Sequence, residues 1–214
     1  MAIRGMSEYL TNLNLHGFAL ISDLSRLTLD FIGAELGSRS SLWHQISARS
    51  RQEASPQSLS GIYGRDEFPW HSDGAVAYER PRYVIMHCGD EGYPEPTEVL
   101  SLRHASTALL VRSMARTVLV VEHPRQGRRY TSALERTAST VAARWDTRVC
   151  RPVDSSPARE TIAKLAEVKA TGVIEWRPGT GAIIDNFAAL HRRPRIESQS
   201  RILNRKYVFQ EKEA

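Results

Sequence analysis

Cysteine is scarce in this 214-residue chain, with Cys88 and Cys150 the whole complement. Neither lies in a CxxC pair or has a histidine at ligand spacing, which disfavours a disulfide framework and a zinc ribbon. Long apolar runs are missing as well. No segment reaches transmembrane length, and the opening MAIRGMSEYLTNLNLHGF lacks the apolar centre of a signal peptide. The expectation is a cytoplasmic protein with reduced thiols and no membrane partner. There is no internal repeat, low-complexity tract or linker. Glycine-rich phosphate loops are absent too: GTG at 179–181 precedes a strand-like run and reads as a turn, against a nucleotide-binding α/β fold.

Hydrophobic residues make up 41% and charged residues 25%, the balance of an ordinary globular protein, at a length suited to one domain. The net charge is +5 and the pI about 9.5, carried by arginine far more than lysine. Arg49, Arg51, Arg125, Arg128, Arg129, Arg192, Arg193 and Arg195 are scattered among acids rather than gathered into a stripe. That distribution argues against a nucleic-acid partner and suits a basic pocket for a small anionic substrate.

Hydrophobic spacing predicts a short helix over 6–13, a strand at 17–22, and a helix in LTLDFIGAELG with Leu27, Phe31 and Leu36 on one face. The stretch 46–59 is polar and irregular. Strands are expected at 82–88, 97–101 and 117–123, helices near 103–115 and over 133–145 and 156–170. Three strand-like segments close the chain: GVIEWRPG, GAIIDNFAALH and RILNRKYVFQ. Short strands separated by turns, with a few helices outside, give a mainly β fold with flanking helices, a β-sandwich or jelly roll.

Within EFPWHSDGA, His71 and Asp73 stand two apart, so on a strand both side chains share one face. His191, after an apolar run, offers a third donor. Two imidazoles and one carboxylate suit an iron(II) centre with one open face, and equally the zinc of a hydrolase. In the closing strand Arg201, Leu203, Arg205 and Tyr207 alternate. Two guanidinium groups turned into an interior need anionic partners, and a dicarboxylate ligand supplies them.

WHSDG (70–74), IDN followed by LH (184–191), RILNR (201–205) and the Pro96-Thr97 pair resemble the iron(II)- and 2-oxoglutarate-dependent oxygenases of the taurine dioxygenase and clavaminate synthase-like family. The resemblance implies a double-stranded β-helix forming a single dioxygenase domain over 1–214. Its jelly-roll core would span about 60–210, behind an N-terminal helix and strand segment at 1–45. It implies His71, Asp73 and His191 as catalytic metal ligands. Arg201 would pair with the far carboxylate of 2-oxoglutarate, with Thr97 beside it, and Arg205 would lie near the inner carboxylate or an acidic substrate group. Asn186 is expected to orient its loop rather than touch iron. Fe(II), 2-oxoglutarate and O₂ would together oxidise an unactivated C–H bond of a small biosynthetic substrate bearing an acidic group. Hydroxylation, desaturation and ring closure remain open, while the Asp73 carboxylate argues against halogenation. From the residues alone, a non-catalytic ligand-binding jelly roll and a metal-dependent hydrolase or isomerase stay as alternatives.

Overall fold

The computed structural model describes residues 6–21, 26–54, 59–89, 94–123, 127–136, 141–197 and 202–210. In chain order the elements are α1 (Met6–His16), β1 (Phe18–Ile21), α2 (Arg26–Leu36), β2 (Arg39–Ser40), β3 (His44–Ser47), α3 (Leu59–Tyr63), β4 (Phe68–His71), β5 (Tyr83–His87) and β6 (Thr97–Ser101). A 3₁₀ turn over 105–107 then leads into α4 (Ala108–Met114), β7 (Val118–His123), β8 (Gly127–Ser132), β9 (Leu134–Arg136) and β10 (Val141–Ala143). The chain continues through β11 (Cys150–Pro152), α5 (Ser156–Glu167), β12 (Gly172–Ile174), β13 (Gly181–Asp185), β14 (Ala189–Arg193) and β15 (Ile202–Phe209).

Two antiparallel sheets face each other. The larger runs β1-β13-β5-β15-β2, with β3 also paired to β15, and the smaller runs β12-β6-β14-β4. Between them lies an apolar layer. Val84 and Met86, Ala182 and Ile184, and Leu203 from the larger sheet meet Val99, Ala189, Ile174 and Trp176 from the smaller side. The alternate residues of the larger sheet, Tyr83, Ile85, Ile183 and Val208, pack beneath Leu13 of α1 and Leu29, Ile32 and Leu36 of α2. Strands covered on both faces read as unbroken apolar runs, which is why YVIMH and GAIID lack a polar phase. On the far side of the smaller sheet, Trp70, Leu100 and Leu190 are covered by α4, α5 and two minor sheets, β11-β7-β8 and β10-β9.

Two sequence expectations change. The 133–145 segment is no helix: β9 and β10 pair antiparallel, and their small apolar residues fill a third cluster with Leu134 and Ala143 buried. On α2 the buried stripe is Leu29, Ile32 and Leu36, while Phe31 is 59% exposed. Phe31 sits two residues from Leu29, and i,i+2 positions on a helix do not share a face. Helix α2 does stop at glycine, for a steric reason. A Cβ on Gly37 would collide with the Phe209 carbonyl and Val208, where β15 crosses the helix end. Helix α5 starts with Ser155 as N-cap, its hydroxyl accepting from Ala158 N at 3.3 Å, and Pro157 in the first turn.

Candidate metal centre

His71 is the last residue of β4 and His191 the middle residue of β14, and the two stand directly opposite in register. Odd-numbered residues of β14 face the space between the sheets, so both imidazoles enter it at one end, their rings 4.3 Å apart. The register slips between His191 and Arg193, a bulge that ends regular pairing beside the site. Asp73 lies beyond β4, in a turn, rather than on the strand as its spacing suggested. Gly74 adopts φ +70° immediately after it, a backbone state that glycine reaches without strain. The turn carries the carboxylate back to the imidazoles: Asp73 Oδ1 lies 3.8 Å from His71 Nε2 and 3.9 Å from His191 Nε2.

The turn is held from several directions. Asn186, fully buried, accepts from Asp73 N at 2.7 Å and donates to the carbonyls of Asp73 (3.0 Å) and Pro81 (2.9 Å). Its own turn is pinned by Asp185, which accepts from Arg82 Nε (3.0 Å) and Nη2 (3.1 Å) and from Arg103 Nη2 (3.0 Å). Downstream, Arg129 Nη2 donates to the carbonyls of Val76 and Ala77, and Arg144 Nη1 to those of Ala75 and Ala77. Backbone groups of a loop that would otherwise depend on water are thus satisfied by rigid guanidinium forks.

On the opposite wall β15 sends Leu203, Arg205 and Tyr207 inward. Arg205 Nη1 lies 3.2 Å from Asp73 Oδ2. The Arg205 guanidinium carbon sits 4.8 Å from the Tyr207 ring centre. Burial alone would raise the Asp73 carboxyl, but Arg205, His191, His71 and Tyr207 outweigh it and bring it down to about 2. His191 moves the other way for an imidazole, down to about 3, because burial, His71 and Arg205 oppose a second positive charge more than Asp73 favours it. An ionised carboxylate and a neutral imidazole are the forms that bind a cation.

The site fits a metal on three grounds. One donor atom from each of His71, Asp73 and His191 lies within 4.8 Å of the others, all three residues buried. Separations of 3.8 and 3.9 Å can be bridged by two bonds of about 2.1 Å each. His71 Nδ1 lies 2.9 Å from the Pro69 carbonyl, so a proton there leaves the Nε2 lone pair facing Asp73. A cleft of ≈ 570 Å³, open to solvent, lies over these donors, lined among others by Ile46, Ser47, Phe68, Met86, Ile196 and Arg205.

Thr97, buried at the start of β6, lines this cleft, its hydroxyl accepting from Trp176 Nε1 at 3.1 Å. Arg205 lines it too and has a buried Nε with no hydrogen-bond partner among the described residues, a donor available to an anion. Arg201 lies outside the described residues. Trp70 faces away from the site into the cluster around Leu100, beneath the Arg192 guanidinium at 4.4 Å. Two contributors were not assigned roles from sequence. Tyr207 alternates with Arg205, and that phase was its available signal. Arg193 follows His191 by two, stacks 3.7 Å over the Phe68 ring and donates to the Gly64 carbonyl at 2.7 Å. It ties the segment after α3 to the histidine-bearing strand.

No family model and no curated protein matches the chain. Solved structures do. An asparagine oxygenase (AsnO) superposes with a TM-score of 0.75 at 16% identity, covering 96% of this chain and 77% of its own. The non-haem iron oxygenase OrfP, in a mutant form bound to (3S)-hydroxy-L-Arg, gives 0.72 at 19%, covering 97% and 80%. PvcB, an Fe, alpha-ketoglutarate dependent oxygenase from an isonitrile synthetic pathway, gives 0.63 at 18%, covering 95% and 79%. The chain has the fold of these oxygenases. The mainly β jelly roll expected from the strand pattern is therefore the observed architecture.

Proposed function

We propose that the chain is an iron(II)- and 2-oxoglutarate-dependent oxygenase, a single catalytic domain that oxidises a C–H bond of a small molecule. One observation carries the reading. In a jelly roll shared with non-haem iron oxygenases, two Nε2 atoms and one carboxylate oxygen from distant segments converge beneath an open cleft. Support for the cofactors comes from the same relatives: asparagine oxygenase is known with Fe(II), a hydroxyasparagine and succinate, and OrfP with Fe and alpha-ketoglutaric acid.

In this reading His71, Asp73 and His191 would hold the iron against the cleft they line. Bound there, iron and 2-oxoglutarate supply the oxidising power, coupling reduction of O₂ to decarboxylation of the keto acid. Arg205 binds a carboxylate of 2-oxoglutarate through its N–H donors, and Thr97 adds a hydroxyl at the same wall. The role of Arg201 rests on the sequence resemblance alone. The apolar walls Ile46, Phe68, Met86 and Ile196 exclude water from the body of the substrate. Arg192, Arg193 and Arg205 line the cleft, Arg192 paired with Glu98 and Arg205 with Asp73, and these guanidinium groups support a substrate with an acidic group.

The test is anaerobic. Fe(II) plus 2-oxoglutarate should give a weak visible charge-transfer band that is absent in His71→Ala, and air should then release succinate. Absence of both band and succinate leaves a ligand-binding module, and turnover with zinc that ignores O₂ makes the chain a hydrolase or isomerase. Either result overturns the proposal.

A further inference from the structure

Beside the loop that follows Asp73, three guanidinium groups crowd together. Arg129 Nη2 and Arg144 Nη1 both donate to the Ala77 carbonyl, at 2.8 and 2.9 Å, so the two side chains meet at one oxygen. Arg80 joins them through Glu135, whose carboxylate oxygens lie 3.9 Å from Arg80 Nη2 and 3.7 Å from Arg144 Nε. Arg80 and Arg144 are buried, whereas the Glu135 side chain is 42% exposed. Tyr78, whose ring centre lies 4.0 Å from the Arg129 guanidinium carbon, is 55% exposed. The cluster therefore meets solvent at Glu135 and Tyr78. None of the three arginines lines the cleft over the metal donors.

Holding the loop does not use all that these groups offer. Backbone carbonyls take Arg129 Nη2, Arg144 Nη1 and Arg80 Nη1. Arg129 Nη1 and Arg144 Nε stay buried with no hydrogen-bond partner among the described residues. Charge is out of balance as well. Among the described residues three guanidinium groups share the single carboxylate of Glu135, and the nearby Asp146 is already held by Arg148 at 2.6 Å. Burial and the Arg144 charge push the Arg80 guanidinium down to about 10, as expected of crowded cations short of a counter-charge. Buried charge is costly unless it is paired. An excess of two positive charges suits a dianion, and guanidinium forks match the oxygens of a phosphate group. We propose that Arg80, Arg129 and Arg144 form a phosphate-binding site, separate from the metal centre, in which the ligand takes the Arg129 Nη1 and Arg144 Nε donors and Glu135 turns out to solvent. Bound there, phosphate bridges the loop after Asp73, through Arg80, to β8 through Arg129 and to the end of β10 through Arg144. The Tyr78 ring at the mouth offers a surface for the organic part of a phosphate monoester. The inference does not depend on the chemistry of the cleft.

Calorimetry on the full chain at pH 8, where phosphate is a dianion, tests the site. Inorganic phosphate and sulfate should each bind once, and acetate, a monoanion, at least about tenfold more weakly. Arg129→Gln should weaken phosphate binding by about ten- to a hundredfold, the usual loss for one hydrogen bond to a charged group. Glu135→Gln should tighten it, because the competing internal carboxylate is gone, and Arg205→Ala should leave it unchanged. No phosphate binding by wild type overturns the inference, and so does binding indifferent to both Arg129→Gln and Glu135→Gln, which leaves the arginines as loop clamps alone. Binding lost in Arg205→Ala puts the anion in the cleft and overturns it too. Phenyl phosphate separates the sources: tighter binding than inorganic phosphate marks a phosphorylated ligand resting on Tyr78, equal or weaker binding marks free phosphate, and both uphold the site. Should Arg129→Gln fail to fold, a wild-type crystal soaked in selenate decides. An anomalous peak within hydrogen-bond range of Arg129 and Arg144 is expected, and a peak in the cleft alone, or none, overturns the proposal.

Discussion

Replacing Asn186 by alanine tests how the carboxylate of the site is held. The side chain is fully buried and makes three hydrogen bonds, to Asp73 N at 2.7 Å, Asp73 O at 3.0 Å and Pro81 O at 2.9 Å. Truncation leaves one amide and two carbonyls without this partner. An orphaned buried polar group costs about 1–3 kcal/mol, and carbonyls with a second lone pair fall at the low end, so a total of about 3–4 kcal/mol follows. A domain with about 5–15 kcal/mol of stability survives that loss. The metal should feel it separately. A loosened Asp73 turn lowers Zn(II) or Co(II) affinity by at least about tenfold. Ion present at a hundred times the wild-type Kd stabilises the native protein by about 2.7 kcal/mol, and tenfold weaker binding halves that to about 1.4 kcal/mol. Urea unfolding with and without metal therefore reads both effects in one experiment. Ile32→Ala is the control: it is fully buried under α2, with the larger sheet between it and the site, and costs about 2–5 kcal/mol of packing. It should leave the metal increment untouched. If Asn186→Ala loses stability but keeps the full increment, the clamp serves the fold alone and the positioning argument fails.

Two further outcomes are expected. Arg205→Ala should weaken 2-oxoglutarate binding to the Co(II)-loaded protein by about 2–5 kcal/mol, the range for truncating one partner of a desolvated charge pair. Calorimetry that finds 2-oxoglutarate affinity unchanged would remove Arg205 from the anchor role. Cys88 and Cys150 are buried thiols, and burial pushes the Cys150 thiol up to about 11, so at pH 8 it is almost wholly protonated as well as shielded. Iodoacetamide should leave both thiols of the native protein unmodified over the time in which urea-unfolded protein takes two labels, and fast native labelling of Cys150 would contradict its packing.

What the chain disclosed before folding, and what it withheld, follows from how each feature is encoded. The central strands β5 and β13 were legible because both faces are covered, leaving Val84, Ile85, Met86 and Ile183, Ile184 as compact apolar words. His71, Asp73 and His191 were legible as residue types at suggestive spacing, but not the means of their meeting: Asp73 turns back through Gly74 instead of projecting from a strand. The stretch 133–145 misled because short strands of small residues, such as Val141, Ala142 and Ala143, carry no clear period against a helical one. Phe31 misled because hydrophobicity does not specify a face. Asn186 shows a harder limit. Its partners are backbone groups far along the chain, and single-sequence patterns report only local neighbours. Arg193 belongs with it, since stacking on Phe68 is decided by a bulge that spacing does not reveal.

The register that sets His71 opposite His191 has a consequence for how the protein matures. One imidazole comes from the first third of the chain and the other from the last, so the chelating set does not exist until the edge strand has docked on its neighbour. An unfolded polypeptide offers an ion little to grip. On the proposed function, metal loading would follow folding rather than template it, and a refolding reaction should reach the empty jelly roll at the same speed whether or not the cation is supplied.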